Sequence, residues 1–240
     1  MMDETQGNIK NWLWRNNLSG AACCDGRTYA TYRDTGAQVG TSKQYSEPLQ
    51  GCANDCFFIA ALISVAWAAN SKLKNYPNYQ FYNTTTNSWD PAFSINSNLG
   101  VDSSNRLVFG RSSTAYIWPC LYEKAYAKWM DSTHSDTPNV ATILNGGNGI
   151  TALQNIVGGQ KSSPNTMPAF PAPLYRTRYP TIAKTNNSPG AGLTANHTYS
   201  VLRKSGANYE LRNPCGGTTV TVSITDFPNK FTEWGYVIPP

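Results

Sequence analysis

Gln50-Gly51-Cys52-Ala53-Asn54-Asp55-Cys56-Phe57-Phe58 runs directly into Ile59-Ala60-Ala61-Leu62-Ile63-Ser64-Val65-Ala66-Trp67. The apolar second half predicts a buried helix from Cys56 to about residue 69, with Asn54 or Asp55 as its cap. A thiol in the first turn of a helix meets unsatisfied backbone N–H groups and the positive end of the dipole, both of which favour its thiolate. The carboxamide of Gln50, a few residues upstream, can donate to a negative oxygen forming beside that sulfur. A lone cysteine before an apolar helix is more often a core residue. Gln50 and a downstream base are what lift Cys56 above that reading.

The chain has only two histidines. His134, in Ser132-Thr133-His134-Ser135-Asp136, reads as a solvated loop residue. His197, in Leu193-Thr194-Ala195-Asn196-His197-Thr198-Tyr199-Ser200-Val201, stands where a strand begins. A second strand ends at Tyr209-Glu210-Leu211-Arg212-Asn213-Pro214, and the turn Ser205-Gly206-Ala207-Asn208 pairs the two as a hairpin. That pairing brings the imidazole of His197 and the carboxamide of Asn213 to one end of the sheet, where Asn213 can fix the ring. Each has a plainer reading, His197 as a structural histidine and Asn213-Pro214 as a turn. Cys, His and Asn nevertheless follow in the order used by papain-like hydrolases.

At these residues the chain resembles the protease core of the calpains, papain-like cysteine endopeptidases. Gln50, Gly51, Asp55, Cys56 and Phe57 match the family's nucleophile block, with Asn54 in place of its second glycine. Leu121-Tyr122-Glu123-Lys124-Ala125-Tyr126-Ala127-Lys128 is similar to its Leu-Leu-Glu-Lys-Ala-Tyr-Ala-Lys helix. His197-Thr198-Tyr199-Ser200-Val201 resembles His-Ala-Tyr-Ser-Val, and Leu211-Arg212-Asn213-Pro214 resembles Leu-Arg-Asn-Pro-Trp-Gly. Leu144-Asn145-Gly146-Gly147 is similar to the glycine pair whose backbone binds substrate, so Gly146 and Gly147 become candidate substrate-binding residues; otherwise they are turn glycines. Asp226-Phe227-Pro228-Asn229-Lys230-Phe231 resembles the segment that closes the core.

The departures are as specific. Cys215 stands where calpains carry a tryptophan that shields the Asn–His hydrogen bond, which predicts a wetter bond here. Asn196 replaces the small residue before the histidine and is expected to narrow the cleft at the substrate side. Glu47 lies in the family's calcium loop, but Asp131 and Asp136, the carboxylates within 131–145, do not make a convincing partner, so calcium dependence is not carried over. The resemblance implies Cys56, His197 and Asn213 as catalytic residues, Gln50 as oxyanion donor, no cofactor and no metal. Cys52 reads as a core thiol or half of a disulfide.

Composition agrees with a globular protein. At 240 residues, with 40% hydrophobic and only 14% charged residues, the chain can bury a substantial core. Its net charge of +5 is dispersed, with no basic run, which argues against nucleic acid. No apolar stretch reaches the roughly 18–20 residues that span a bilayer. The expected partner is a protein or peptide substrate, with no nucleic acid and no membrane. With Cys56 as nucleophile, five of the six cysteines remain, so at least one more is free or paired between chains. Met1-Met2-Asp3-Glu4-Thr5 is no signal peptide, which makes the cytoplasm the default compartment and export as a mature fragment the alternative.

Helical patterns dominate before Asn145-Gly146-Gly147-Asn148-Gly149: 9–15, 56–69 and 119–130, with one strand at Arg106-Leu107-Val108-Phe109. After it come a short helix at 151–157, a Pro-rich connection at 164–180, and strands at 198–204, 209–213, 218–224 and 234–238. The expected fold is α+β, papain-like, with a helical N-terminal lobe (1–147), a β-rich C-terminal lobe (148–240) and the cleft between them. The function expected is cysteine endopeptidase. Its rivals are a catalytically inactive calpain-like peptide-binding module, suggested by Cys215 and Asn196, and acyl transfer to amines, against which Asn213 weighs.

Overall fold

The computed structural model describes residues 23–24, 26–40 and 42–240. The helix expected at 9–15 lies outside them. The helix that begins at Cys56 spans Cys56–Ala68, and its residues 56–66 are all buried. A helix apolar on every side has to be enclosed on every side, and this one is. Helix Gly149–Val157, helix Trp118–Met130 and two strands of a sheet contact it.

The sheet is a six-stranded antiparallel one. Its order is Thr219–Ser223, Asn208–Arg212, Thr198–Ser205, Thr181–Thr185, Phe231–Ile238 and Gln160–Lys161. The expected hairpin is present, with Ser205 opposite Asn208 across the Gly206-Ala207 turn. Strands predicted at 218–224 and 234–238 appear as Thr219–Ser223 and Phe231–Ile238. Strand Thr181–Thr185 lies at the heart of the sheet and had no periodic signal, because four of its five residues are buried on both faces. The strand expected at 106–109 does not form. Only Leu107 bridges, to Val101 of strand Asn98–Val101, which pairs with Thr31–Asp34 instead.

Two apolar clusters result. The larger surrounds the Cys56–Ala68 helix and takes in Leu153, Ile156, Ile182, Leu202 and Val237. The smaller gathers Tyr199, Leu211, Phe227 and Phe231 on the other side of the sheet.

Side-chain hydrogen bonds sew the helix to the sheet in register. The Ser200 hydroxyl donates to the Ala60 carbonyl, and the Trp67 indole N–H donates to the Leu202 carbonyl. Ser64 Oγ donates to the Thr181 carbonyl at 2.9 Å and accepts from the Thr181 N–H. Four helical residues advance about 6 Å and two strand residues about 6.7 Å, so the two elements keep step. Counting back from the Ala60–Ser200 contact brings Cys56 to Thr198, and the backbone and side chain of Thr198 do face the thiol. His197, one residue earlier, is thereby delivered to the N-terminal end of the helix.

Ser64→Ala tests this seam. It leaves the buried Thr181 N–H and carbonyl without their partner, which costs about 1–3 kcal/mol. Urea unfolding should show that loss as a lower midpoint at unchanged slope, and a midpoint equal to the parent's would contradict it.

Candidate active site

The turn before the helix is pinned on all sides. Gly51 approaches the 108–109 backbone so closely that a Cβ would lie 1.9 Å from the Phe109 carbonyl oxygen. Cys52 N–H donates to Val108 O at 2.8 Å, and Gln50 N–H donates to Pro214 O at 2.9 Å. The Gln50 side chain is buried, and its Nε2 donates to the Ala53 carbonyl at 2.8 Å. One amide hydrogen is therefore anchored, which aims the second. Asn54 is absent from the residues with positive φ, so its side chain fits where the family carries glycine.

His197 is held from three directions. Its backbone N–H donates to Thr185 Oγ1 at 2.9 Å and its carbonyl accepts from Thr185 N–H at 2.9 Å. Tyr199 meets the imidazole edge-on, with ring centres 5.1 Å apart. Ring Nε2 lies 2.8 Å from Asn213 Oδ1. The same Oδ1 accepts from Cys215 N–H at 2.9 Å, which identifies it as the carboxamide oxygen. An oxygen of that kind only accepts, so Nε2 carries the proton and Nδ1 is left as the basic nitrogen.

Thr198, the neighbour of His197, contacts the Cys56 thiol, and no hydrogen bond joins the sulfur to the imidazole. Burial raises the Cys56 thiol above its ordinary pKa, against the N–H and side chain of Thr198, which lower it; the Asp55 charge raises it further. Burial likewise lowers His197, while the hydrogen bond to Asn213 pulls the other way. Both shifts favour thiol with neutral imidazole. In this closed, dry setting desolvation outweighs the helix dipole that the sequence reading emphasised.

Asp55 does not cap the helix; its side chain makes no cap hydrogen bond. It turns inward to Glu123, and both carboxyls are fully buried. Both Asp55 oxygens and Glu123 Oε1 lack a conventional donor, while Glu123 Oε2 accepts from Gly110 N–H at 2.7 Å. Two carboxyls in contact satisfy each other when they share one proton, and burial raises the pKa of both. Glu123 sits on helix Trp118–Met130, the element expected at 119–130. The only hint of this partnership was that both residues fall in family-like blocks.

Gly146 and Gly147 lie against the nucleophile turn. Gly146 N–H donates to Asn54 O at 2.8 Å, and a Cβ on Gly147 would lie 2.6 Å from the Phe57 ring. Together with Phe57, Phe93, Trp129 and Leu144 they line an open groove of about 750 Å³. Asn196 is exposed with φ 50°, a left-handed conformation that explains why glycine is the usual residue there and why asparagine substitutes for it.

Cys215 is half of a disulfide with Cys23, and Cys52 pairs with Cys24. The free thiols are Cys56 and Cys120, so the extra unpaired cysteine required by the count is Cys120, buried in the core. Glu47 is consumed by the fold: it accepts from Gln44 N–H, the Thr114 hydroxyl and the Trp118 indole. Among the described residues, no three His, Cys, Asp or Glu side chains gather into a metal site.

A family model described as calpain family cysteine protease matches residues 39–238. A curated "Thiol protease" of Porphyromonas gingivalis (strain ATCC BAA-308 / W83) is 27% identical over 124 residues, covering 44% of this chain and 26% of that protein. The chain thus matches only about a quarter of that relative's length. With most of its residues matched by the family model, the chain belongs to the calpain family of cysteine proteases.

The acid pair sets a pH dependence. A folded-state pKa above the unfolded value means that the fold holds a proton the unfolded chain has already lost. That stabilisation is complete below the ordinary carboxylate range and fades as pH rises above it. Glu123→Gln keeps a donor for Asp55 without a titrating group. Its melting temperature, followed from pH 4.5 to 7.5, should fall less steeply than the parent's; parallel slopes would contradict a shared proton.

Proposed function

We propose that the chain is a cysteine endopeptidase in which Cys56 is the nucleophile, His197 the base and acid, and Asn213 the residue that orients the imidazole. Gln50 and the Cys56 backbone N–H would receive the oxyanion. The observation that carries this reading is the 2.8 Å contact between His197 Nε2 and Asn213 Oδ1, which leaves Nδ1 as the nitrogen for Cys56. The arrangement proposed is papain-like, with a helical lobe and a β-rich lobe bordering the cleft.

The reaction starts from the neutral pair. Nδ1 of His197 accepts the Cys56 thiol proton as the sulfur attacks the peptide carbonyl. The C–O π electrons move onto oxygen, where the second Gln50 amide hydrogen and the Cys56 N–H meet the charge. His197 gives its proton to the leaving amine, the C–N bond breaks, and a thioester remains. Water, deprotonated by the same nitrogen, then releases the acid and restores the thiol. Gly146 and Gly147 would pair their backbone with an extended substrate lying in the groove. The substrate class is protein or peptide, as membership of a protease family implies. No helix among the described residues is long and apolar enough to cross a membrane.

A second reading, a peptide-binding module without catalysis, draws on the raised thiol pKa and the missing sulfur–imidazole hydrogen bond. Casein hydrolysis separates the two. The purified protein should cleave casein, Cys56→Ala should abolish cleavage, and Gln50→Ala should lower kcat about 100- to 1000-fold with folding intact. An epoxysuccinyl peptide should modify Cys56 and spare Cys120. A stable protein that cleaves nothing and leaves Cys56 unmodified would favour the binding module.

A further inference from the structure

Cys23 and Cys24 are neighbours in the chain, yet their disulfides run to two different segments of the candidate site. Cys24 is bonded to Cys52, between Gln50 and Cys56, and Cys23 is bonded to Cys215, two residues beyond Asn213. Together the two residues form a covalent link from the oxyanion turn to the asparagine loop.

The loop at the far end needs holding. Cys215 is followed by Gly216 and Gly217, both with positive φ, a backbone of little intrinsic stiffness. Its N–H nonetheless has a defined task, donating to Asn213 Oδ1 at 2.9 Å beside the 2.8 Å bond from His197. The Cys23 end is equally anchored. Its carbonyl accepts from Arg111 Nη2 at 2.5 Å, and the same nitrogen donates to Gln50 O at 3.1 Å. Cys23 Sγ also packs 3.5 Å from Gln50 Oε1; bonded to sulfur, it has no proton to give and the contact is steric. Gly217 approaches Leu49 so closely that a Cβ would lie 2.7 Å from its Cδ2.

We propose that Cys23, Cys24, Cys52 and Cys215 are positioning residues for the reaction. In their oxidised state they fix the Cys215 N–H, through it the Asn213 carboxamide, and so the His197 imidazole relative to the Gln50 turn. The working form therefore has these four cysteines paired and Cys56 as the reduced thiol. The Cys23–Cys215 disulfide stands at the sequence position where the family carries a tryptophan, and it tethers the loop covalently. The inference rests on the endopeptidase reading for its kinetic consequence alone; the geometric consequence, at His197, stands apart from activity.

The test uses Cys23→Ser/Cys215→Ser, with the parent as reference. NMR titration of the imidazoles reads positioning directly, and exposed His134 serves as the internal control. Serine is close to cysteine in size and keeps the ring buried, so what weakens is the Asn213 hydrogen bond that favours the charged ring, and the His197 pKa should fall in the variant while His134 stays put. In turnover normalised to sites titrated by the epoxysuccinyl peptide, kcat should drop about 10- to 100-fold with KM nearly unchanged. The acid limb of kcat/KM should move to lower pH. A merely structural disulfide would lower the melting temperature and the titratable fraction, with His197 and the per-site rate unmoved, and that result would overturn the proposal. Should the first variant not fold, Cys24→Ser/Cys52→Ser provides the second, with a smaller shift of His197 in the same direction expected and no shift overturning it. If the parent neither cleaves casein nor reacts at Cys56 while the variant still shifts His197, the endopeptidase reading fails and the positioning link stands.

Discussion

The seam between the Cys56–Ala68 helix and the Thr198–Ser205 strand governs the rest of the molecule. Ser200 to Ala60, Ser64 to Thr181 and Trp67 to Leu202 lock a helix and a sheet whose residues come from distant parts of the chain. Buried hydrogen bonds of this kind act mainly as specification. Each contributes modestly when made, but a register slip would strand several polar groups in an apolar core. Slipping the strand by one residue would also turn His197 to the opposite face of the sheet. The placement of His197 next to Thr198, which contacts the Cys56 thiol, follows from that register, with Thr185, Tyr199 and Asn213 then fixing the ring.

The same burial that secures the register dries the site. It raises the Cys56 thiol, lowers His197, and makes Asp55 and Glu123 share a proton directly beneath the nucleophile turn. A charge on Asp55 opposes a thiolate on its neighbour, so the protonation of the acid pair and the nucleophilicity of Cys56 are linked. In the proposed reaction, full pairing of thiolate with imidazolium is consequently disfavoured at rest, and proton transfer belongs to the attack step.

Much of this was legible in the sequence wherever the signal was local. The run from Cys56 announced its helix, and Ser205-Gly206-Ala207-Asn208 announced the hairpin that brings His197 to Asn213. What escaped depended on contacts between segments far apart. Asp55 has the chemistry of a cap, and only the fold reveals Glu123 waiting for it. Cys215 read as a thinner shield than tryptophan, because nothing local identifies Cys23 as its partner 192 residues away. Arg106-Leu107-Val108-Phe109 has the composition of a strand, but the Val108 carbonyl is taken by the Cys52 N–H and the backbone at 108–109 packs against Gly51. Asn196 is exposed and left-handed, a backbone conformation that no local pattern announced.

The central claim is that the Cys56 sulfur and the His197 ring share one small space. A short bifunctional alkylating agent, 1,3-dibromoacetone, tests it by joining a thiol to a neighbouring imidazole. Digestion and mass spectrometry should recover a peptide in which Cys56 is bridged to His197. That bridge should be absent when His197 is replaced by alanine and unaffected when His134 is. Alkylation of Cys56 with no bridge to His197, or a bridge to His134, would contradict the account.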